Sequence, residues 1–222
     1  SHSLENYGIE LISVNVEQTL SELELIDIIG EFDGWIIGDD PATKKVFEKG
    51  KLGSLKAAVK WGVGTDNVDF DAALNLGIPV INTPGMFGNE VADLAFCYLI
   101  CLARNVITVH NGITKGQWPK IRGESLKGAN IGLVGYGDIG KNVAKRLLIS
   151  DTRVQVYDPF LDSSKLNDER ISLEVWPNKI SNCDYLVLTC SLNSSNFHLL
   201  NKDIFNLMKN NIKIINVSRG GL

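Results

Sequence analysis

The chain has 222 residues, enough for one large domain or two modest ones. Its 44% hydrophobic and 22% charged residues are the composition of a water-soluble globular protein. A net charge of −4 argues against non-specific attraction to nucleic acid or an anionic membrane. The longest apolar stretch, Leu94 to Ala103, is about half of the ~20 residues that a membrane span needs, and reads as a buried helix. No signal-peptide pattern is read at the start.

Taken in order, strands and helices alternate, which predicts an α/β fold with parallel sheets. Ile9–Val14 reads as a strand. Ser21–Ile29 reads as a helix with Leu23, Ile26 and the following isoleucines inward. Gly34–Gly38 is a predicted strand and Thr43–Lys49 a helix. Leu55–Lys60 is a strand that runs into the loop Trp61-Gly62-Val63-Gly64-Thr65-Asp66-Asn67. Phe70–Leu76 is a helix and Pro79–Asn82 a strand. Thr83-Pro84-Gly85 breaks the pattern, so the domain boundary is expected within Thr83–Gly88, giving domains 1–84 and 85–222. One long helix is then expected from Asn89, its N-cap, to Val109. Lys115–Gly128 reads as an exposed loop. After the segment described next, Tyr185–Thr189 is a strand, Lys202–Met208 a helix and Ile212–Val217 a strand.

Residues 129–158, ANIGLVGYGDIGKNVAKRLLISDTRVQVYD, carry the strongest signal. The apolar run Ile131–Val134 reads as a buried strand. Gly135, Gly137 and Gly140 then have the spacing G-x-G-x-x-G. Ile139, Val143 and Leu147 follow on one helix face, and Val154–Tyr157 is a second strand that ends at Asp158. A glycine-rich turn of some other kind is the plainer alternative. The complete order of strand, turn, helix, strand and acidic residue favours a dinucleotide site. Gly135 permits the tight turn, Gly137 lets backbone approach a pyrophosphate, and Gly140 lets helix pack on strand. Tyr136, Asp138 and Ile139 lie in the same turn, and the amides of Asp138 and Ile139 face an anion at the helix N-terminus. Asp158 accepts from ribose hydroxyls and repels a 2′-phosphate, so NAD is the expected cofactor.

Two further places suit an anion. Arg219 follows the last strand directly, in Asn216-Val217-Ser218-Arg219-Gly220-Gly221. Ligands of open α/β sheets bind beyond the carboxyl ends of strands, and a guanidinium grips a carboxylate with two parallel bonds. Gly62, Val63 and Gly64 present backbone amides at another strand end, a weaker signal. Lys60 is a weak anion-binding candidate whose default is a solvated surface lysine. Asp66 and Asn67 are expected to fix the loop through bonds to backbone. The four cysteines, Cys97, Cys101, Cys183 and Cys190, show no C-x-x-C spacing, and a reducing, cytoplasmic setting is expected. No metal site is expected.

Five stretches together resemble the D-isomer-specific 2-hydroxyacid dehydrogenases, in the branch near phosphoglycerate dehydrogenase. They are Val59–Asp69 (VKWGVGTDNVD), Ile81–Phe96 (INTPGMFGNEVADLAF), Gly132–Leu147 (GLVGYGDIGKNVAKRL), Val156–Phe160 (VYDPF) and Met208–Leu222 (MKNNIKIINVSRGGL). The resemblance implies two doubly wound parallel-sheet domains: a flavodoxin-like substrate domain (1–84) and an NAD-binding Rossmann domain (85–222), hinged around a substrate cleft. It implies that a small 2-hydroxy or 2-oxo acid, 3-phosphoglycerate among the candidates, is held by the backbone of Val63 and Gly64 and by Arg219. It gives Arg219 the catalytic role. It places Thr83, Cys190, Val217 and Ser218 on the nicotinamide side of the cofactor. It also implies a homodimer held partly by the long helix.

The chain departs from the family in three ways. The family's catalytic Glu and His fall beyond Arg219, past Leu222, and none of His2, His110 and His198 suits that role. The first strand of the family also has no counterpart here, so both domains are expected to be truncated. Ser191 stands where the family usually has proline. The alternatives to a dehydrogenase are an NAD-binding regulatory or corepressor-like scaffold and an inactive fragment.

Overall fold

The computed structural model describes residues 2–16 and 18–222. It divides into two compact units, Ser1–Pro84 and Gly85–Leu222.

The first unit opens with a short helix, α1 (His2–Glu5), and an irregular stretch. Helix α2 (Glu22–Ile28) is started by a capping box: Ser21 accepts from the Glu24 amide, and the Glu24 carboxylate accepts from the Ser21 amide at 2.8 Å. Strand β1 (Gly34–Ile37), helix α3 (Lys44–Leu52), strand β2 (Ala57–Lys60), helix α4 (Phe70–Asn75) and strand β3 (Val80–Asn82) follow. Asp69 caps α4 by accepting from the Ala72 amide at 2.9 Å. The strands pair in parallel in the order β1-β2-β3, with Ile36 opposite Val59 and Val59 opposite Ile81. Leu25, Ile29, Ile37, Val46, Phe47, Leu55, Ala73 and Ile78 form the core.

Two expectations for this unit fail. Residues 9–16 form no strand, and Ile9, Leu11, Ile12, Val14 and Val16 are exposed. A β-prone sequence becomes a strand only where its backbone finds a ladder partner and its side chains a face to pack on. This segment has neither among the described residues. Along α2 and its cap residue Ile29, Ile29 is buried and Ile26 packs against the core as expected, but Leu23 points outward at 72% exposure and Leu25 is buried in its place.

The second unit begins with helices α5 (Gly88–Arg104) and α6 (Val106–Thr114). The expected single helix is thus broken. Asn105 adopts a left-handed conformation (φ 54°, ψ 34°), and the two helices are bent by 69°. Asparagine tolerates that conformation better than most residues, and its side-chain amide donates to the Arg122 carbonyl at 3.1 Å. The cap residue of α5 is Phe87, not Asn89. No single described helix is long and apolar enough to cross a membrane.

Strand β4 (Asn130–Val134), helix α7 (Asp138–Ile149), strands β5 (Arg153–Tyr157), β6 (Ile171–Leu173) and β7 (Tyr185–Leu188), helix α8 (Lys202–Leu207) and strand β8 (Lys213–Asn216) complete the unit. Strand β6 carries no expectation from the sequence. All five strands are parallel, in the order β6-β5-β4-β7-β8. Both faces of the sheet are covered. Ile131, Leu133, Tyr185 and Val187 pack with Ala92, Ala95, Leu99, Val143, Ala144 and Leu147 of α5 and α7. Val134, Leu186 and Leu188 point the other way, toward Ile180, Met208 and Leu222. The chain runs from β4 outward to β6, then returns to lie on the other side of β4 as β7. The strand order therefore reverses between β4 and β7, the place where ligands of such sheets bind.

Candidate nucleotide and anion sites

The glycine turn lies at that reversal. Gly135 follows β4 with φ +92°, and a Cβ there would sit 2.7 Å from the Cys190 amide nitrogen. Both the left-handed backbone and the neighbouring strand end thus require glycine. Its amide donates to the Tyr157 carbonyl at 2.9 Å, and its carbonyl accepts from the Thr189 hydroxyl at 2.9 Å. Gly137 is the extended N-cap of α7, and a Cβ there would meet nothing within 4 Å, so this side of the turn is an open cradle. A Cβ on Gly140 would lie 2.2 Å from the Gly135 carbonyl oxygen. Close contact between α7 and the turn therefore depends on that glycine.

Asp158, at the end of β5, is bound to the same turn. Its Oδ2 accepts from the Tyr136 amide at 2.8 Å, and its Oδ1 accepts from the Phe160 amide at 2.9 Å. Tyr136 is half-buried against the core, and burial raises its hydroxyl pKa. Ile139 is half-buried beside it. Cys190 backs Gly135, and burial, helped by the Asp158 charge, raises its thiol pKa. The structure thus brings Gly135, Tyr136, Gly137, Asp138, Ile139, Gly140, Asp158 and Cys190 together where β4, β5 and β7 end.

Two features here had no reading from the sequence. The Asp138 carboxylate is turned against the start of α5, because a Cβ on Gly88 would lie 2.1 Å from its Oδ2. Thr189 pins the turn through bonds from its hydroxyl to the carbonyls of Val134 and Gly135. A threonine directly after the apolar β7 run was the available signal.

Val217, Ser218 and Arg219 follow β8, which pairs with β7. The Ser218 hydroxyl donates to the Leu188 carbonyl at 3.2 Å. Asn216 shapes the turn: its Oδ1 accepts from the Ser218 amide at 2.9 Å, and its Nδ2 donates to the Arg219 carbonyl at 2.9 Å. The amides of His198 and Leu200 donate to the carbonyls of Gly221 and Leu222 at 2.8 and 2.7 Å, which clamps the segment after Arg219. The His198 ring stacks on Phe197 at 4.0 Å, and His110 lies exposed inside α6 rather than at a helix end. The His2 side chain lies outside the described atoms.

Val63, Gly64 and Thr83 belong to the first unit. There the Gly62 amide is not available to an anion, because it donates to the Thr83 hydroxyl at 2.9 Å. The Thr83 amide returns a bond to the Gly62 carbonyl at 3.2 Å. Asn82 donates to the Val63 carbonyl at 3.2 Å. The amides left to the predicted nest are therefore those of Val63 and Gly64. Lys60 is not solvated but lies against this loop, its Nζ 3.7 Å from where a Cβ on Gly62 would sit. It is 2% exposed, and its ammonium donates to the Gly38 carbonyl and to Asp39 Oδ1, the latter at 3.3 Å. Asn67 does bond to backbone, but across to the carbonyls of Gly38 and Asp40, at 3.1 and 2.7 Å.

A parallel α/β sheet with a glycine turn and an acidic strand end at its point of reversal defines a dinucleotide-binding class of fold. Residues 96–222 match the sequence profile of the family described as D-isomer specific 2-hydroxyacid dehydrogenase, NAD binding domain, and the chain belongs to this family. It is 33% identical to the hydroxypyruvate reductase of Thermotoga maritima over 91% of this chain and 65% of that protein. It is 30% identical to the D-3-phosphoglycerate dehydrogenase of a Synechocystis species over 100% of this chain and 41% of that protein. The chain thus spans about two fifths to two thirds of the length of these relatives. Among solved structures, NAD-dependent formate dehydrogenase from Staphylococcus aureus in complex with NAD superposes with a TM-score of 0.83. That pair is 27% identical, over 99% of this chain and 66% of that one.

Proposed function

We propose that this chain is the cofactor-binding and substrate-carboxylate-binding part of an NAD-dependent D-2-hydroxyacid dehydrogenase. NAD, when bound, supplies or accepts the hydride. Asp138, Ile139 and the open side of Gly137 hold the pyrophosphate at the amino end of α7. Asp158 holds the adenosine ribose. Thr83, Cys190, Val217 and Ser218 border the nicotinamide. Residues 1–84 form the substrate domain and residues 85–222 the NAD domain.

In this reading Arg219 grips the substrate carboxylate and polarises the neighbouring carbonyl, while the amides of Val63 and Gly64 bind the carboxylate as well. A fixed guanidinium and fixed amides orient the reacting carbon without reorganising during the reaction. Proton transfer is assigned to none of His2, His110 and His198. The exposed apolar residues of α5 and α6, Leu94, Tyr98, Leu102 and Ile107, favour a homodimer through that face. Four free cysteines fit a reducing compartment, the cytoplasm.

The observation that carries the reading is the Asp158 carboxylate held 2.8 Å from the Tyr136 amide, inside the segment that matches the NAD-binding family. The test uses the full-length protein with NADH and a panel of 2-oxo acids, followed by absorbance at the nicotinamide band. NADH consumption with at least one acid is expected. Tight NADH binding without consumption with any acid would reject the dehydrogenase reading in favour of a regulatory one.

A further inference from the structure

Asp138 enters the reading above only through its amide. Its carboxylate stands at the same place and has no part in holding a ligand. Asp138 is the first residue of α7, directly after the N-cap Gly137. An acid in the first turn suits a helix, whose amino end carries roughly half a positive charge. That same partial charge draws a diphosphate to this end of α7. Carboxylate and diphosphate therefore share one helical turn, a length of ~5 Å.

The carboxylate is held in that turn from two sides. It lies against the start of α5, where a Cβ on Gly88 would sit 2.1, 2.5 and 2.7 Å from its Oδ2, Cγ and Oδ1. Asn142, one turn further along α7, donates from Nδ2 to its Oδ1 at 3.3 Å and to the Asp138 carbonyl at 3.0 Å. A glycine of one helix and an asparagine of the other are thus fitted around a single acid.

No cation answers its charge. Asp138 forms no ion pair among the described residues. Arg146, two turns along α7, is spent on Asp93 at 2.6 Å and on the carbonyls of Asn142 and Asn89 at 3.0 and 3.2 Å. Lys141 is exposed to water, where its charge is screened. The other acid of the site, Asp158, is in a different position. A ribose offers it hydroxyl donors, whereas a diphosphate offers Asp138 only further acceptors.

Granted the dinucleotide site proposed above, on which this rests, we infer that the Asp138 side chain limits the strength of dinucleotide binding. It opposes the diphosphate that its own amide helps to hold, and so keeps the cofactor exchangeable. One charge against two, a helical turn apart in water, is worth about tenfold in affinity at low salt and about threefold at physiological salt.

The experiment titrates NADH and ADP-ribose into the full-length protein by calorimetry. Salt is set at about 0.01 M and about 1 M, where charges are felt over ~30 Å and ~3 Å. Asp138→Asn keeps the amide and the size of the side chain and removes the charge. It should bind both ligands about tenfold more tightly than wild type at the low salt, with the ratio falling toward one at the high salt. Asp138→Ser should follow it. Damage to the fold would act in the opposite direction, by loosening both ligands. Asp203→Asn removes an equal charge from the first turn of α8 and should leave both affinities within about twofold. Asp138→Asn binding equal to or weaker than wild type overturns the inference and leaves the dinucleotide site standing. So does a gain that persists at high salt, that Asp203→Asn reproduces, or that NADH shows and ADP-ribose does not. A wild-type protein that binds neither ligand brings down the site and the inference together.

Discussion

Replacing Gly140 with alanine sets two known effects against each other. In an ordinary helix the change is favourable by about 1 kcal/mol, because alanine loses less backbone freedom than glycine. Here the new Cβ would sit 2.2 Å from the Gly135 carbonyl oxygen, against 3.4 Å for an ordinary contact, a shortfall of 3.4 − 2.2 = 1.2 Å. The obstacle cannot rotate away. It is backbone, held by the Gly135 bond to Tyr157 and by the Thr189 hydroxyl, each 2.9 Å long. The amino end of α7 must move instead, and forced overpacking of this kind costs about 1–3 kcal/mol. The steric term equals or exceeds the gain, leaving the variant up to about 2 kcal/mol less stable. The displaced helix end also loses aim at the pyrophosphate. One charge-assisted bond lost, about 1.5–3 kcal/mol, weakens NADH by roughly tenfold or more. Gly137→Ala is the control, since its Cβ meets nothing within 4 Å. It should keep stability within about 1 kcal/mol and still lose NADH by filling the cradle. Urea unfolding and calorimetric NADH titration of both full-length variants check this. A Gly140→Ala protein as stable and as NADH-competent as wild type would refute the argument, as would a Gly137→Ala protein that binds NADH normally.

Two other expectations are independent of activity. Asp168 accepts three bonds from Arg170, two from its guanidinium and one from its amide. These hold the carboxyl pKa down to about 2, from 3.8. A depressed carboxylate stabilises above its unfolded pKa, and the contribution fades as pH falls from about 3.8 to about 2. Asp168→Asn should therefore be less stable than wild type at pH 5 and converge with it near pH 2; parallel pH profiles would contradict the pairing. Among the thiols, Cys183 is buried and its pKa is pushed up to about 11, chiefly by that burial. It should react with a disulfide reagent only as fast as the protein unfolds. Bound NADH should slow alkylation of Cys190, and mass mapping of both sites that found Cys183 labelled first would count against the packing.

The dinucleotide turn could be read residue by residue because its requirements are local. A glycine at positive φ, a helix start and an acidic residue at the next strand end all fall within one short stretch of chain. The same holds for the span of helix α2 and for strands β4 and β7, whose apolar runs are buried on both faces. Reading failed where the deciding partner was distant. Lys60 looks like a surface lysine until the Gly38–Asp39 loop is folded over it. Gly88 shows no reason to be glycine until Asp138 arrives against it. Asn105 breaks a continuous apolar helix, with its side chain bonded to Arg122.

Composition, apolar periodicity and motif order were therefore enough for the parallel α/β class and the glycine turn, and the family came from the resemblance of five stretches. The first two depend on short-range sterics and on which faces are apolar. Three matters were left to long-range contacts. Residues 9–16 pair with neither edge of the β1-β2-β3 sheet, and an apolar stretch with no ladder partner forms no strand. The Gly62 amide is consumed by Thr83 rather than offered to a ligand. The Lys60 charge is spent on a neighbouring loop. Whether a polar group is free or already paired depends on what the fold brings beside it, and pairing energy acts across space rather than along the chain.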